Sequence, residues 1–333
     1  MLNIVTVSPR GEFAGLVEPQ FTDLDITRLN PSLTDQLDNF LKQESLPPTF
    51  RTILAQHYLP LADWLYRSVE PRNTPVIGIN GAQGSGKSTL SAVLKLVLES
   101  KYHWQVVVLS IDDIYLTRTE RKRLARSVHP LLKTRGVPGT HDVALGLTLI
   151  NRLKTLKKGQ QMHVPRFNKA TDDRLPTDQW DAISGPVDLI LFEGWCVGTA
   201  AVDPADLTQP INRLEAEEDK QAIWRHYVNQ QLAGPYHELF GHIDYLMFLQ
   251  VPDFDSVKSW RLEQEQKLAE KFKGEAAGLM NAQEIERFIQ HYERLTRQNL
   301  RDLPERADVV LKLDRDHRVS AVIYQTQGKP VWP

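Results

Sequence analysis

The sequence contains a single cysteine, Cys196, among its 333 residues. One thiol excludes a disulfide bond within the chain and suits a protein kept in a reducing compartment. The apolar runs are shorter than the roughly 18 residues that a membrane-spanning helix needs. Residues 1–7 do not place basic side chains ahead of a long apolar stretch, as a secretory signal would. These absences predict a cytoplasmic protein without a membrane anchor.

The chain also lacks an excess of either sign of charge. Its formal net charge is −2, and charged residues make up 25% of the sequence. Such a balance gives no overall attraction to nucleic acid or to a membrane surface, so any basic site must be local. Repeats at a fixed period and low-complexity tracts are missing as well. With a hydrophobic fraction of 41%, the composition is that of a globular protein with one large domain and an appendage, or with two domains.

The most informative feature present is a glycine-rich loop between an apolar strand and a helix. Gly81, Gly86, Lys87 and Ser88 fit the phosphate-binding pattern G-x-x-x-x-G-K-[ST]. Glycines allow successive backbone N–H groups to curl around phosphate oxygens, and the helix turns the positive end of its dipole towards the same anion. We therefore predict a nucleotide site, with Lys87 at the β and γ phosphates and Ser88 on Mg²⁺. The predicted nucleotide contacts are Gly81, Ala82, Gln83, Gly84, Ser85, Gly86, Lys87, Ser88 and Thr89.

Two further apolar strands end in acidic residues. Residues 106–111 run into Asp112 and Asp113, and residues 187–192 run into Glu193. Open parallel sheets bind their ligands at the carboxyl ends of the strands. We expect Asp112 to take part in the chemistry, Asp113 to cap or support the next element, and Glu193 to lie near Mg²⁺ as a Walker B acid. Because an unpaired carboxylate inside a sheet is costly, Glu193 should have a cationic neighbour.

Two loops and one charged helix are candidates for the rest of the site. Residues 129–142 have too much proline and glycine for regular structure, and residues 163–174 are dense in groups that bind carboxylate or phosphate. The charged helix over residues 256–272 is a candidate lid with Arg261 over the phosphates, although a solvated helix would look the same. If the basic residues of these loops do not bind substrate, they are ordinary surface residues. The candidate acceptor contacts are Asp112, Tyr115, Arg135, Arg166 and Arg174.

The order of elements predicts the fold class. Residues 1–72 form an N-terminal helical appendage, with helices near 32–44 and 50–69 and a bend at Pro60. Residues 73–333 form one domain in which strands alternate with helices, which is typical of an α/β fold with a mainly parallel sheet. The last two strands, near 309–313 and 319–324, should make an antiparallel hairpin at the edge of the sheet.

With these motifs in this order, the chain resembles the P-loop kinases of small metabolites, the group of uridine kinase, pantothenate kinase and phosphoribulokinase. Within the group the likeness is closest to the glycerate kinases of photorespiration. The resemblance implies a three-layer α/β/α fold with parallel strand order 2-3-1-4-5, and the reaction of ATP with D-glycerate to give 3-phosphoglycerate and ADP. It also implies that Asp112 takes the proton of the attacking hydroxyl, that Glu193 is the Walker B acid, and that the helix over residues 257–272 corresponds to the lid. We further expect Lys87 and a lid cation such as Arg261 to stabilise the transferred group.

Other classes of protein carry part of the same pattern. A kinase of another small hydroxylated metabolite, such as pantothenate, uridine or a sugar phosphate, would share every feature of the nucleotide half. A nucleotide switch or an ATP-dependent assembly factor would also carry the phosphate loop. Against a guanine-nucleotide switch, residues 168–171 read N-K-A-T and lack the final aspartate of the N-K-x-D pattern.

Overall fold

The computed structural model describes residues 31–271 and 281–325. Residues 1–30 of the predicted appendage and Phe272, where the predicted lid ends, lie outside the described residues. Its helices are α1 (Pro31–Gln43), α2 (Phe50–Ile53), α3 (Leu59–Ser68), α4 (Lys87–Tyr102), α5 (Arg118–Ser127), α6 (Val143–Thr155), α7 (Arg213–Glu218), α8 (Ile223–Gln231), α9 (His237–Phe240), α10 (Phe254–Lys271) and α11 (Ala282–Arg306). Its strands are β1 (Val76–Gly81), β2 (Val106–Ser110), β3 (Gln161–Val164), β4 (Phe167–Asn168), β5 (Asp173–Arg174), β6 (Asp181–Ser184), β7 (Leu189–Gly194), β8 (Tyr245–Gln250), β9 (Val309–Leu313) and β10 (Val319–Tyr324). In the described ranges, no helix is long and apolar enough to cross a membrane.

Six of the strands form the central sheet, in the order β10, β9, β8, β1, β7, β2. All neighbours in the sheet pair in parallel except β10, which runs antiparallel to β9 at the edge. When the five parallel strands alone are numbered along the chain, their order is 2-3-1-4-5. The strand order that the resemblance implies and the edge hairpin that the sequence predicts are therefore confirmed.

The sheet is buried on both faces, which makes the domain three layers thick. Alternate residues of each strand point to opposite faces. Ile77 and Leu191 pack in the core on the side of α1, α3, α4 and α10, whereas Val76 and Ile190 pack in the core on the side of α6, α8 and α9. Helix α11 contributes side chains to both cores. Strands covered on both faces are expected to be nearly continuously apolar, as residues 106–109 and 189–192 are.

The N-terminal helices pack against the sheet's core. Leu33, Leu37 and Leu41 of α1 recur at helical spacing and are buried in the same cluster as α4. Trp64 of α3 packs on the rings of Tyr245 and Tyr324, with centroids 5.9 and 5.5 Å away, in the packing role that aromatic residues usually have. The domain boundary near residue 72 stays a prediction.

The irregularity in the second N-terminal helix lies just before Pro60. Residues Leu54–Tyr58 form a π-helical turn between α2 and α3, and Pro60 occupies one of the first two positions of α3. Proline is tolerated there because the first turn of a helix has no partners for its N–H groups. The sequence predicts a bend at Pro60, and the structure has a π-helical turn that ends two residues before it.

Candidate active site

The phosphate loop joins the end of β1 to the start of α4, at the carboxyl edge of the sheet. Gly81 closes β1, and a Cβ atom there would lie 2.5 Å from the Ser85 hydroxyl and 3.0 Å from Cβ of Leu249. No side chain fits at this position without a shift of its neighbours, so glycine is required for the tight approach. The loop then delivers Lys87 and Ser88 in the first turn of α4, where unpaired N–H groups favour an anion.

The residues around the loop fit a magnesium-bound nucleotide. The ammonium of Lys87 donates to the carbonyl of Ala82 at 3.1 Å, and the Ser88 hydroxyl donates to Oε1 of Glu193 at 3.3 Å. A hydroxyl beside a carboxylate is the oxygen donor set that Mg²⁺ prefers. The buried hydroxyl of Ser85 has no hydrogen-bond partner in the described part of the chain, and a phosphate oxygen would supply one.

Glu193 has the cationic neighbour that its buried position requires. Burial raises the pKa of the Glu193 carboxyl, and the nearby charge of Lys87 opposes that rise. Burial in turn lowers the pKa of Lys87, while Glu193 and Asp112 raise it. Each of the three groups therefore favours the charged form of its oppositely charged neighbours.

Asp112 lies in a short 3₁₀ turn directly after β2, beside the loop. Its Oδ2 atom is 2.8 Å from the ammonium of Lys169, and the hydroxyl of Tyr115 also hydrogen-bonds it. Burial alone would raise the pKa of Asp112, but Lys169, together with His141 and Tyr115, outweighs it, so the pKa is lowered. Asp112 is therefore ionised and able to accept a hydrogen bond from a ligand hydroxyl.

Asp113 points away from Asp112 and supports a neighbouring segment. It accepts a hydrogen bond at 2.7 Å from the guanidinium of Arg166 and one at 3.0 Å from the backbone N–H of Phe167. Burial raises the pKa of Asp113, and Arg166 opposes that rise. The supporting role expected for Asp113 is thus found at the start of β4.

Residues 169–172 form the tip of a hairpin made by β4 and β5, in a segment that its composition predicts to be a loop. The two strands pair in antiparallel register. The side-chain oxygen of Asn168 accepts hydrogen bonds from the N–H groups of Ala170 and Thr171 at 2.9 and 3.3 Å. This local turn fixes the backbone on both sides of Lys169 and leaves its side chain pointing to Asp112.

Arg135 reaches the same region from the long loop after α5. Its guanidinium pairs with the carboxylate of Asp172, and its backbone carbonyl accepts from the Tyr292 hydroxyl at 3.2 Å. A Cβ atom at Gly136 would overlap that hydroxyl. Close packing between this loop and α11 therefore sets where Arg135 points.

These groups surround one cavity of about 300 Å³, which we call the central cavity. Its lining comprises Gln83, Gly84, Lys87, Ser88, Ser110, Asp112, Tyr115, Arg135, Lys169, Glu193, Gly194, Trp195, Arg261, Phe288 and Tyr292. Phosphate-binding groups lie on one side, and a carboxylate with two cations lies on the other. Such a cavity can bring a phosphate and a hydroxyl together, which is what phosphoryl transfer requires.

The candidate lid contributes Arg261 to the central cavity. The Arg261 guanidinium lies 5.8 Å from the ring centroid of Phe288. One residue earlier, Trp260 is buried and stacks on His317 at 4.0 Å, and His317 contacts the carbonyl of Gly84 in the phosphate loop at 3.3 Å. The start of α10 is therefore held against the loop, while the side chains of residues 264–271 lie outside the described residues.

Two of the predicted acceptor contacts do not line the central cavity. Arg166 pairs with Asp113 and Asp181, each at 2.7 Å. Arg174 pairs with Asp142 at 3.2 Å and with Glu120 at 3.7 Å. Both guanidiniums are engaged with carboxylates of the chain, and their contact with an acceptor stays a prediction.

Six lining residues are not among the predicted contacts: Ser110, Lys169, Gly194, Trp195, Phe288 and Tyr292. Lys169 belongs to a loop that the sequence marks as basic, but its pairing with Asp112 bridges residues far apart in the chain. Phe288 and Tyr292 lie one turn apart on α11, and this spacing of aromatic residues is the one signal that could have singled them out. In the sequence the same spacing is equally typical of a core helix.

The fold and the site together define a P-loop kinase of small molecules, and comparison with known proteins agrees. Residues 76–203 match the model of the phosphoribulokinase / uridine kinase family. A Schizosaccharomyces pombe protein named "Uncharacterized kinase mug58" is 34% identical over 241 residues, which are 69% of this chain and 82% of the relative. The chain therefore belongs to this family and is an ATP-dependent small-molecule kinase.

Two further relatives carry a substrate in their names. The chloroplastic D-glycerate 3-kinase of Arabidopsis thaliana is 30% identical over 258 residues, which cover 72% of this chain and 53% of that protein. The chain thus matches about half the length of the Arabidopsis relative. The solved structure of D-glycerate 3-kinase from Cryptococcus neoformans superposes with a TM-score of 0.65 at 25% identity, over 80% of this chain and 96% of the other.

Proposed function

We propose that this kinase transfers the γ-phosphoryl group of ATP to the 3-hydroxyl of D-glycerate, giving 3-phosphoglycerate and ADP. The observation that carries the proposal is the central cavity, where the phosphate loop faces Asp112 and two cations, Lys169 and Arg135. An acceptor that is both an alcohol and a carboxylate matches this lining. The names of the Arabidopsis and Cryptococcus relatives support the same acceptor.

The nucleotide side of the reaction depends on charge and position. Lys87 neutralises the β and γ phosphates, and the loop backbone donates N–H groups to their oxygens. Ser88 and Glu193 would hold Mg²⁺, which when bound neutralises charge on the phosphates. Arg261, on the lid side of the cavity, stabilises the charge that spreads over the γ-phosphoryl oxygens in the transition state.

On the acceptor side, Asp112 acts as the general base. The 3-hydroxyl oxygen forms a bond to the γ-phosphorus, and the bond from that phosphorus to the β–γ bridging oxygen breaks. ADP leaves with the electron pair of the broken bond, and the hydroxyl proton passes to Asp112. Tyr115 hydrogen-bonds the Asp112 carboxylate and so orients it towards the hydroxyl.

A small acceptor suits the size of the cavity. About 300 Å³ lies at the low end of the range for small-molecule sites. The two cations favour a carboxylate over a neutral group at the far end of the acceptor. In a cell the reaction would return glycerate to 3-phosphoglycerate, as in photorespiration, and a cytoplasmic location belongs to the same proposal.

A coupled assay of ADP release tests the proposal. The purified chain is supplied with Mg-ATP and, in separate reactions, with D-glycerate, L-glycerate, pantothenate, uridine or ribulose 5-phosphate. We expect D-glycerate to give the highest kcat/KM and product analysis to identify 3-phosphoglycerate. Faster turnover of pantothenate, uridine or the sugar phosphate would replace the acceptor, and slow hydrolysis stimulated by a protein partner would favour a nucleotide switch.

A further inference from the structure

Both cations that face the acceptor side are held by carboxylates of the chain itself. Lys169 lies 2.8 Å from Asp112, and its side chain is 64% exposed. Arg135 pairs with Asp172. The carboxylate of an acceptor can therefore bind these cations only by replacing Asp112 and Asp172. The two exchanges differ in whether the displaced carboxylate keeps another partner.

Asp172 would stay satisfied if Arg135 moved. The guanidinium of Arg121, which is 1% exposed, donates to the backbone carbonyl of Asp172 at 2.7 Å and lies 3.0 Å from its carboxylate. Asp172 therefore keeps a buried cation whatever Arg135 does. Release of Arg135 to a ligand would cost little, because no carboxylate is left alone.

Asp112 would not be satisfied in the same way if Lys169 moved. It would keep the hydroxyl of Tyr115 but lose the lysine that pairs with Oδ2. A carboxylate that loses its paired cation gains affinity for a proton. The acceptor hydroxyl is the source of that proton in the proposed reaction. Release of Lys169 would therefore make Asp112 a stronger base when the acceptor binds.

We propose that Lys169 senses the acceptor: it covers Asp112 while the acceptor is absent, and it binds the acceptor carboxylate together with Arg135 when the acceptor enters. This inference rests on the proposed function, because it requires a carboxylated acceptor. The Lys169 side chain can make the move without disturbing the hairpin tip, whose backbone turn is held by Asn168.

The exchange has a consequence for ATP hydrolysis. In the absence of acceptor, a water molecule can occupy the place of the hydroxyl. Its oxygen would bond to the γ-phosphorus, the bond to the β–γ bridging oxygen would break, a proton would pass to Asp112, and ADP and phosphate would form. With Lys169 paired to Oδ2 of Asp112, the carboxylate is a weaker proton acceptor, and this side reaction is suppressed.

The test compares Lys169→Met with Lys133→Met, a matched control. Lys133 is an exposed lysine outside the central cavity, lining a neighbouring hollow. Each protein is assayed for glycerate KM and kcat, for ADP release without acceptor, and for the KM of ATP. Glycerol, which lacks the carboxylate, serves as a second acceptor.

For Lys169→Met we expect the glycerate KM to rise about 30-fold, the range of a lost hydrogen bond to a charged group. Hydrolysis without acceptor should rise about fivefold, because the exposed ion pair that covers the base is worth about 1 kcal/mol. The preference for glycerate over glycerol should fall, and Lys169→Arg should restore most of it. Lys133→Met should match the wild type in every measurement, and an unchanged ATP KM shows that the nucleotide side is intact.

Two results would overturn the inference while leaving the proposed function in place. They are a glycerate KM that Lys169→Met leaves unchanged, or hydrolysis without acceptor that falls in this variant. If instead the wild type rejects every carboxylated acceptor, the proposed function fails together with the carboxylate contact. The same experiment therefore separates the two failures.

Discussion

The two walls of the central cavity are built in different ways. The nucleotide wall comes from one continuous segment, the loop after β1, whose residues Gln83, Gly84, Lys87 and Ser88 line the cavity. Backbone and glycine geometry define the shape of this loop. The acceptor wall collects side chains from separate segments: the turn after β2, the loop at Arg135, the hairpin tip and α11. Ion pairs within the chain hold its charged groups in place.

This difference teaches how one fold can accept many substrates. A wall made of backbone is set by steric limits and changes little when side chains change. A wall made of ion-paired side chains can exchange partners, and single substitutions alter which ligand satisfies it. The nucleotide wall therefore identifies the kinase class, and the acceptor wall determines the substrate.

The largest effect should come from the group that joins the two walls. Asp112→Asn keeps the size of the side chain but removes the proton acceptor, so kcat should fall about 10³-fold. Mg-ATP affinity, measured by calorimetry, should stay within roughly twofold because the nucleotide wall is untouched. Asp181→Asn, at an exposed carboxylate, is the control. Full turnover in Asp112→Asn would exclude the base role.

Arg261, the cation of the candidate lid, should have the second largest effect. Arg261→Met removes a positive charge from the cavity, and loss of one stabilising donor typically lowers kcat about 10²-fold. Lys258→Met is the matched control on the same helix, since its exposed ion pair with Glu286 at 2.9 Å contributes little. Equal rates for the two variants in the ADP-release assay would make α10 an ordinary solvated helix.

Two glycine substitutions should each weaken ligand binding at one of the two walls. Gly81→Ala crowds Ser85 and Leu249, and Gly136→Ala crowds Tyr292 beside Arg135. Overpacking of about 2 kcal/mol would weaken Mg-ATP binding about 30-fold in the first variant and raise the acceptor KM about 30-fold in the second. Each variant should leave the other ligand nearly unaffected.

The control for this pair is Gly234→Ala, because an added Cβ at Gly234 has no atom within 4 Å. Binding of Mg-ATP and the acceptor KM are measured in all three variants. A loss of both ligands in Gly81→Ala or in Gly136→Ala would show that the walls are not independent.

The smallest effect concerns how the free energy of unfolding depends on pH through His141, which packs beside the acceptor wall. His141 stacks on Tyr115 with ring centroids 4.4 Å apart, and burial lowers its pKa from 6.5 to about 3. Between these values the unfolded chain binds a proton that the folded chain does not, so stability falls as the pH falls. From pH 6.5 to 5.5 this one histidine should remove about 1 kcal/mol from the free energy of unfolding.

Urea unfolding at the two pH values measures this loss. His141→Gln keeps a hydrogen-bonding group near the Tyr236 hydroxyl and should show a loss smaller by that amount. His163→Gln, at an exposed position of β3, should behave as the wild type. Identical losses in all three proteins would mean that His141 does not titrate in the unfolding reaction.

Local sequence signals predicted the alternating strands and helices and the phosphate loop, and the resemblance implied the strand order. Together they predicted only part of the acceptor wall. The phosphate loop is contiguous, so the spacing of Gly81, Gly86, Lys87 and Ser88 carries its geometry. Asp112 and Glu193 each follow an apolar strand, and the carboxyl ends of parallel strands meet at the same edge of the sheet. Tertiary pairing decides the rest: Lys169 finds Asp112 across a hairpin, and Tyr292 arrives from a helix far along the chain.

The burial of the single cysteine makes site-specific dye labelling around the cavity practical. Cys196 is fully buried after Trp195, and burial raises the pKa of its thiol. Because the thiolate is the reactive form, dye reagents should spare it in the folded protein. Cysteines introduced at Lys258 on α10 and at Ala170 on the hairpin tip would then accept a fluorescent pair, and energy transfer between the dyes would show whether the distance between α10 and the tip changes when the acceptor binds.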